Sequence, residues 1–249
     1  MSGAAGGLAA VLFDMDGLLV DSEPVWTVAE VELARSLGGE FSPELKAAIV
    51  GTRLEVAVPR ILRWYDAPAA PADVDRACAW LLARMVELFA GDLPVMPGAA
   101  SLVAACRAAP VPVALVSSSY RVLVDAVLAG VGPGGVGPGG VGPGGGGLAD
   151  GVPAGQLGPF DLTVAGDEVT HAKPHPEPWL TACSRLGVDP SRCVVLEDSP
   201  SGVASGLAAG CAVVGVPSVA GVSFEPALRL TVRSSLVGLG LADLQALVA

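Results

Sequence analysis

Two aspartates two positions apart stand at the end of an apolar run, Leu8-Ala9-Ala10-Val11-Leu12-Phe13-Asp14-Met15-Asp16-Gly17. In an extended chain the side chains at i and i+2 point the same way, so both carboxylates face one small volume. Two like charges held that close repel, unless a cation lies between them or one takes a proton. Taken alone, Asp-x-Asp-Gly is equally a solvated turn after a strand. The pattern continues, however, as Leu18-Leu19-Val20-Asp21-Ser22-Glu23-Pro24, and further polar clusters follow other apolar runs.

Ser117-Ser118-Ser119 follows the run Val111 to Val116. The Ser117 hydroxyl and the backbone N–H groups after it can hold phosphate oxygens, and the same serines can cap a helix over Tyr120 to Leu128. Lys173, one of two lysines in the chain with Lys46, lies in His171-Ala172-Lys173-Pro174-His175-Pro176, where proline restricts the backbone. Glu197-Asp198 ends Val194-Val195-Leu196, and carboxylates there suit a hard cation. His171 and His175 have the i, i+4 spacing that holds zinc on a helix, but Pro174 and Pro176 break any helix between them. They are read as loop histidines near a phosphate-facing lysine.

The elements that must position these groups follow from hydrophobic period and punctuation. Leu8 to Phe13 reads as a strand buried on both faces, the kind found in parallel sheets. In an open parallel sheet ligands bind beyond the carboxyl ends of the strands, where Asp14 and Asp16 fall. Ser22 is the expected cap of a first helix with Val25, Ala29, Leu33 and Leu37 on its apolar face, ended by Gly38-Gly39. Ser42 and Pro43 open a second, stopped at Gly51, and Thr52 with Glu55 predicts a capping box for a third, which Pro59 must kink or shorten. Val74, Cys78, Leu81, Met85 and Leu88 make the apolar face of a fourth. Strands are expected again at Val111 to Val116, Asp161 to Ala165, Cys193 to Leu196 and Ala212 to Val216, with a last helix at Leu241 to Val248. Strands alternating with helices predict an α/β fold, a doubly wound parallel sheet. Its core would comprise residues 1–20 and 93–249, with a helical domain at 21–92 inserted after the first strand. Val131-Gly132-Pro133-Gly134-Gly135 recurs at Val136 and Val141. The period of five excludes a collagen triple helix, and residues 130–158 are expected to be a disordered insertion without catalytic role.

Composition narrows the function. The 249 residues are 52% hydrophobic but 4% aromatic, and mean hydropathy is +0.60. The longest uncharged stretch, Ser199 to Phe224, is interrupted by Pro200, Gly202, Gly206, Gly210, Gly215 and Pro217, so no membrane span is expected. No Lys or Arg precedes Arg35, which does not fit a secretory signal. A net charge of −11 disfavours nucleic acid and anionic lipid as partners. An anionic substrate therefore needs a locally positive site. Five scattered cysteines without C-x-x-C spacing read as buried thiols in a reducing cytosol.

In order, Asp14-x-Asp16, Ser117, Lys173 and Glu197-Asp198 resemble the four motifs of the haloacid dehalogenase superfamily, in its branch with a helical cap after the first strand. The stretches Phe13 to Trp26 and Ser191 to Ser199 are most similar to bacterial sugar-phosphate and hexitol-phosphate phosphatases, a group like 2-deoxyglucose-6-phosphatase. The resemblance implies that Asp14 attacks phosphorus while Asp16 protonates the leaving oxygen and then takes a proton from water. Magnesium is the implied cofactor, held by the Asp14 carboxylate, the Asp16 backbone carbonyl and Asp198, with Glu197 in or beside the metal shell. Ser117, Ser118 and Lys173 would bind the phosphoryl group, and Arg53 would reach the substrate from the cap. The protein is expected to be a cytoplasmic monomer, and the resemblance implies a small phosphomonoester as its substrate. Dehalogenases of the superfamily need neither Asp16 nor Asp198. The β-phosphoglucomutases share the core motifs but carry a histidine on the first cap helix where this chain has Trp26, which favours hydrolysis. A noncatalytic phosphosugar-binding protein would not need every acid and the lysine.

Overall fold

A computed structural model describes residues 7–49, 52–91, 93–130, 160–219 and 221–249. Six parallel strands form one sheet: β1 (Ala10–Phe13), β2 (Val113–Val116), β3 (Leu162–Val164), β4 (Cys193–Glu197), β5 (Ala212–Gly215) and β6 (Leu230–Val232), in the spatial order β3-β2-β1-β4-β5-β6. The strand order reverses between β1 and β4, and that switch point opens a crevice at the strands' carboxyl ends.

The sheet is buried on both sides, as the apolar run before Asp14 requires. Ala10, Leu12, Ala114, Val116, Val195 and Val213 face one core layer with Trp179 and Ala182. The alternate residues Val11, Phe13, Leu115 and Leu196 are equally buried. Helix α5 (Ala99–Ala108) packs on β2, α6 (Arg121–Gly130) follows that strand, and α7 (Glu177–Leu186) and α8 (Pro200–Ala208) pack against the strands and each other. A last helix, α9 (Leu241–Ala246), touches α5.

The chain divides into two compact units, Met1–Asp21 with Leu93–Ala249, and Ser22–Asp92. The second holds α1 (Glu23–Ser36), α2 (Pro43–Ile49), α3 (Leu54–Trp64) and α4 (Pro71–Phe89). Within it α1 packs on α4, and α3 on α2 and α4.

Several local expectations are corrected. Strand β2 begins at Val113, because Pro112 has no N–H for the ladder; its carbonyl instead accepts from the Val11 N–H. Strand β6 carries no apolar run and was not anticipated. It is a three-residue edge, recruited by backbone bonds from Val213 to the Arg229 carbonyl and from Arg233 to the Gly215 carbonyl. Ser22 stands at the start of α1 without a side-chain cap bond. Thr52 donates to the Ile49 carbonyl, and Arg53 takes the cap position before α3, so the predicted capping box does not form. Pro59 is accommodated inside α3, which runs on to Trp64.

The buried face of α4 is Ala77, Leu81, Met85 and Phe89, rotated from the expected stripe. On α1 Glu30 is buried, because Lys46 pairs with it at 2.7 Å and with Glu23 at 2.5 Å. Ser42 caps α2 as expected, its hydroxyl accepting from the Leu45 N–H. The proposed stop at Gly51 and the repeat after Gly130 lie outside the described residues. Among the described residues no helix is long and apolar enough to cross a membrane.

Candidate active site

Each polar cluster singled out in the sequence leaves the carboxyl end of a strand. Asp14 follows β1, Ser117 follows β2, Lys173 lies in the segment between β3 and α7, and Glu197-Asp198 closes β4. Parallel pairing of β1 with both β2 and β4 aligns these ends, so Asp14 and Lys173, 159 positions apart, and Lys173 and Glu197, 24 apart, meet at one crevice edge.

Lys173 is the hub. Its ammonium donates to Asp14 Oδ1 at 2.5 Å, Glu197 Oε1 at 2.7 Å and the Val116 carbonyl at 3.0 Å, which uses all three protons. Its side chain is 3% exposed, and its Nζ lies 4.3 Å from the centroid of the fully buried Trp179 ring. An ammonium so removed from water needs this set of partners. Burial lowers the ammonium's proton affinity, but Asp14 and Glu197 outweigh that and hold its pKa above the ordinary lysine value.

Asp16 points to different partners. Its Oδ2 accepts from the hydroxyls of Ser117 at 3.1 Å and Ser119 at 2.8 Å. Ser117 in turn accepts from the Ser119 N–H at 2.9 Å. The two serines stand at i and i+2, so both reach one acceptor. Ser117 is buried, whereas Ser118 is exposed. At the start of the next helix the Tyr120 carbonyl accepts from the Leu123 and Val124 N–H groups, and Asp167 accepts from the Arg121 N–H at 2.8 Å.

Glu197 is 1% exposed and occupied at both oxygens, Oε1 by Lys173 and Oε2 by the N–H and hydroxyl of Ser199. Gly202, in the first turn of α8, lies where a Cβ would overlap that carboxylate. Asp198 Oδ2 accepts from Ser218 at 2.6 Å. Arg53 precedes α3 in the helical unit, in extended backbone and partly buried. Trp179, Ser199 and Ser218 had no role assigned from the sequence, and Ser119 stood there only as part of its serine run.

Oxygens of Asp14, Glu197 and Asp198 lie within 4.8 Å of one another. Burial first, then the charge of Glu197, pushes the Asp14 carboxyl well above the usual aspartate range against the pull of Lys173. The same two causes push Asp198 up to about 7. One ammonium cannot neutralise these acids, and an all-oxygen cluster with surplus negative charge fits a hard divalent cation. The consequence for stability has a definite sign. Because the folded protein holds protons that the unfolded chain has lost, metal-free stability should fall as pH rises from ~4 to ~7. Adding Mg2+ should raise the melting temperature more at about pH 8 than at about pH 5. Thermal denaturation with and without the ion measures both, and a Mg2+ response independent of pH would contradict this electrostatic account.

Gly17 takes φ +79°, and a Cβ there would collide with the Asp198 carboxylate and the Ser218 hydroxyl. Gly17→Ala should therefore displace Asp198 and strain the turn at ~1 kcal/mol or more. Thermal denaturation across a Mg2+ titration should show a raised metal requirement; an unchanged Mg2+ midpoint would refute the packing argument.

The haloacid dehalogenase-like hydrolase family matches residues 8–210. Hexitol phosphatase B of Escherichia coli (strain K12) is 31% identical over 217 residues, 85% of this chain and 84% of the relative. Protein CbbY of Rhodobacter capsulatus is 32% identical over 218 residues, 85% of this chain and 86% of the relative. The crystal structure of CbbY from Rhodobacter sphaeroides in complex with phosphate aligns with a TM-score of 0.74 at 28% identity, over 95% of this chain and 99% of that one. Since the family match runs from β1 through β4 and every strand end that bears the cluster, the chain belongs to the haloacid dehalogenase-like hydrolase family and is a phosphatase.

Proposed function

We propose that this phosphatase hydrolyses small phosphorylated sugars or sugar alcohols, with Mg2+, through an aspartyl-phosphate formed on Asp14. The observation that carries the reading is the unlike surroundings of the two acids on β1. Asp14 is bound to Lys173 amid other carboxylates, whereas Asp16 is held by two serine hydroxyls. A nucleophile must be ionised and a general acid protonated. Burial and Glu197 push the Asp14 carboxyl up, so Lys173 together with a bound Mg2+ would supply the charge that ionises it. Similarity to hexitol phosphatase B supports the substrate class.

In this reading an Asp14 oxygen attacks phosphorus while Asp16 delivers a proton to the departing sugar oxygen. Asp16 then takes a proton from the water that attacks the aspartyl-phosphate, releasing inorganic phosphate and restoring Asp14. Lys173, by exchanging one of its three present bonds, and Ser117, by exchanging its bond to Asp16, would orient the phosphoryl oxygens with the Ser118 N–H and offset their charge against the acid cluster. Asp14, Asp198 and the Asp16 backbone carbonyl would hold Mg2+, with Glu197 beside them. When bound, the ion offsets carboxylate charge and polarises the phosphoryl group. Glu197 supports the site by fixing Lys173, since its own oxygens are occupied. The helical unit would serve as the cap, with Arg53 as its substrate contact, and the enzyme would act as a cytoplasmic monomer.

The test is phosphate release from a panel of hexose, hexitol and pentose phosphates, nucleotides and phosphoglycolate in Mg2+. Hexose or hexitol phosphates should give the highest kcat/KM. A second arm supplies β-glucose 1-phosphate with a trace of the bisphosphate. Glucose 6-phosphate appearing faster than free phosphate would overturn hydrolysis in favour of the mutase reading.

A further inference from the structure

The chain's two histidines, set aside as metal ligands because prolines preclude a helix between them, are brought together by another route. The segment turns through a bond from the His175 N–H to the Ala172 carbonyl, and the imidazole rings lie 4.5 Å apart at an interplanar angle of 34°. Both face Glu177, the first residue of α7. His171 Nδ1 is 2.7 Å and His175 Nδ1 3.9 Å from Glu177 Oε2. The carboxylate is itself fixed: Oε1 accepts from the Thr170 N–H at 2.7 Å and Oε2 from the His171 N–H at 3.0 Å. These bonds keep it ionised, below the usual glutamate range.

We propose that His171, His175 and Glu177 form a second metal site, for a borderline divalent ion of the zinc class, separate from the acid cluster at the strand ends. One ligand atom from each residue lies within 4.8 Å of the other two. Two imidazole nitrogens and one carboxylate oxygen suit Zn2+, Co2+ or Ni2+, whereas Mg2+ prefers oxygen. The backbone donors to Glu177 supply the outer support that orients a ligand. The histidine side chains are 60% and 51% exposed, which leaves water free to complete the coordination. On binding, the ion would take the place of the proton between His171 Nδ1 and Glu177 Oε2, that proton moving to His171 Nε2 so that the ring binds as neutral imidazole, while His175 binds through Nε2 or gives up the bond its Nδ1 accepts from the Glu177 N–H at 3.2 Å. Lys173 lies between the two histidines in sequence, with its ammonium on Asp14, so an ion here would tether the segment that delivers the lysine.

Calorimetric titration of Zn2+ into the intact protein, with saturating Mg2+ present to occupy the acid cluster, tests the site. One equivalent should bind, and His171→Ala and His175→Ala should each weaken it by more than about tenfold. Both variants alter exposed side chains and should keep the native circular dichroism and the Mg2+-dependent activity. Co2+ should give visible bands without thiolate charge transfer. Absence of Zn2+ uptake by the wild type, equal binding by the variants, or a cobalt–thiolate band would each overturn the proposal.

Discussion

Asp14→Asn should abolish phosphate release from p-nitrophenyl phosphate in Mg2+, by at least about 10⁴-fold, while leaving the protein folded. The amide has nearly the shape of the carboxylate but is far less nucleophilic, so the attack on phosphorus is lost. Folding should survive because the native environment already disfavours the charge at position 14: burial and Glu197 both act against it. Circular dichroism and a melting curve check that arm. Turnover comparable to the wild type would exclude Asp14 as nucleophile; loss of turnover accompanied by unfolding would instead make the residue structural.

The second large effect is expected at Lys173. Lys173→Met removes the single ammonium that both Asp14 and Glu197 contact at the site, leaving two buried carboxylates beside a neutral side chain. Breaking a buried ion pair from one side costs about 3–5 kcal/mol, so the variant should unfold at clearly lower urea. Activity should fall by at least ~10²–10³-fold, the scale for losing a charge-stabilising donor. The double variant Asp14→Asn with Lys173→Met separates the two contributions. Residues in contact couple, and Asp14→Asn removes one of the carboxylates that Lys173→Met strands. Stability should therefore recover in part while activity stays absent. Strict additivity of the two stability changes would mean that Lys173 and Asp14 do not act as a pair.

The site is legible in the sequence where chemistry and secondary structure coincide. Asp14, Ser117 and Glu197-Asp198 each end an apolar run, and such a run in a parallel sheet can end only at the crevice edge. Lys173 was marked by rarity and by its proline. The residues that hold these groups in place lacked such marks. Ser199, Ser218 and Trp179 belong to segments whose local pattern is an ordinary cap, loop or helix, and they acquire meaning only beside Glu197, Asp198 and Lys173. Ser119 was visible as part of a serine run, but its bond to Asp16 spans 103 positions. The histidines show a different limit of local pattern. Proline correctly excluded a helix, yet the irregular turn still aligns both rings on Glu177.

What this sequence determined by itself is the alternation of buried strands with helices and the polar residues at their ends, because backbone period and proline or glycine punctuation are local properties. Only the tertiary structure decided which oxygen each donor meets. Lys173 reaches Asp14 and Glu197 across 159 and 24 positions because β1 pairs in parallel with β4 and lies beside β2. That register, and the excess of carboxylates over ammonium it creates, comes from strand pairing at long range, which no local spacing encodes.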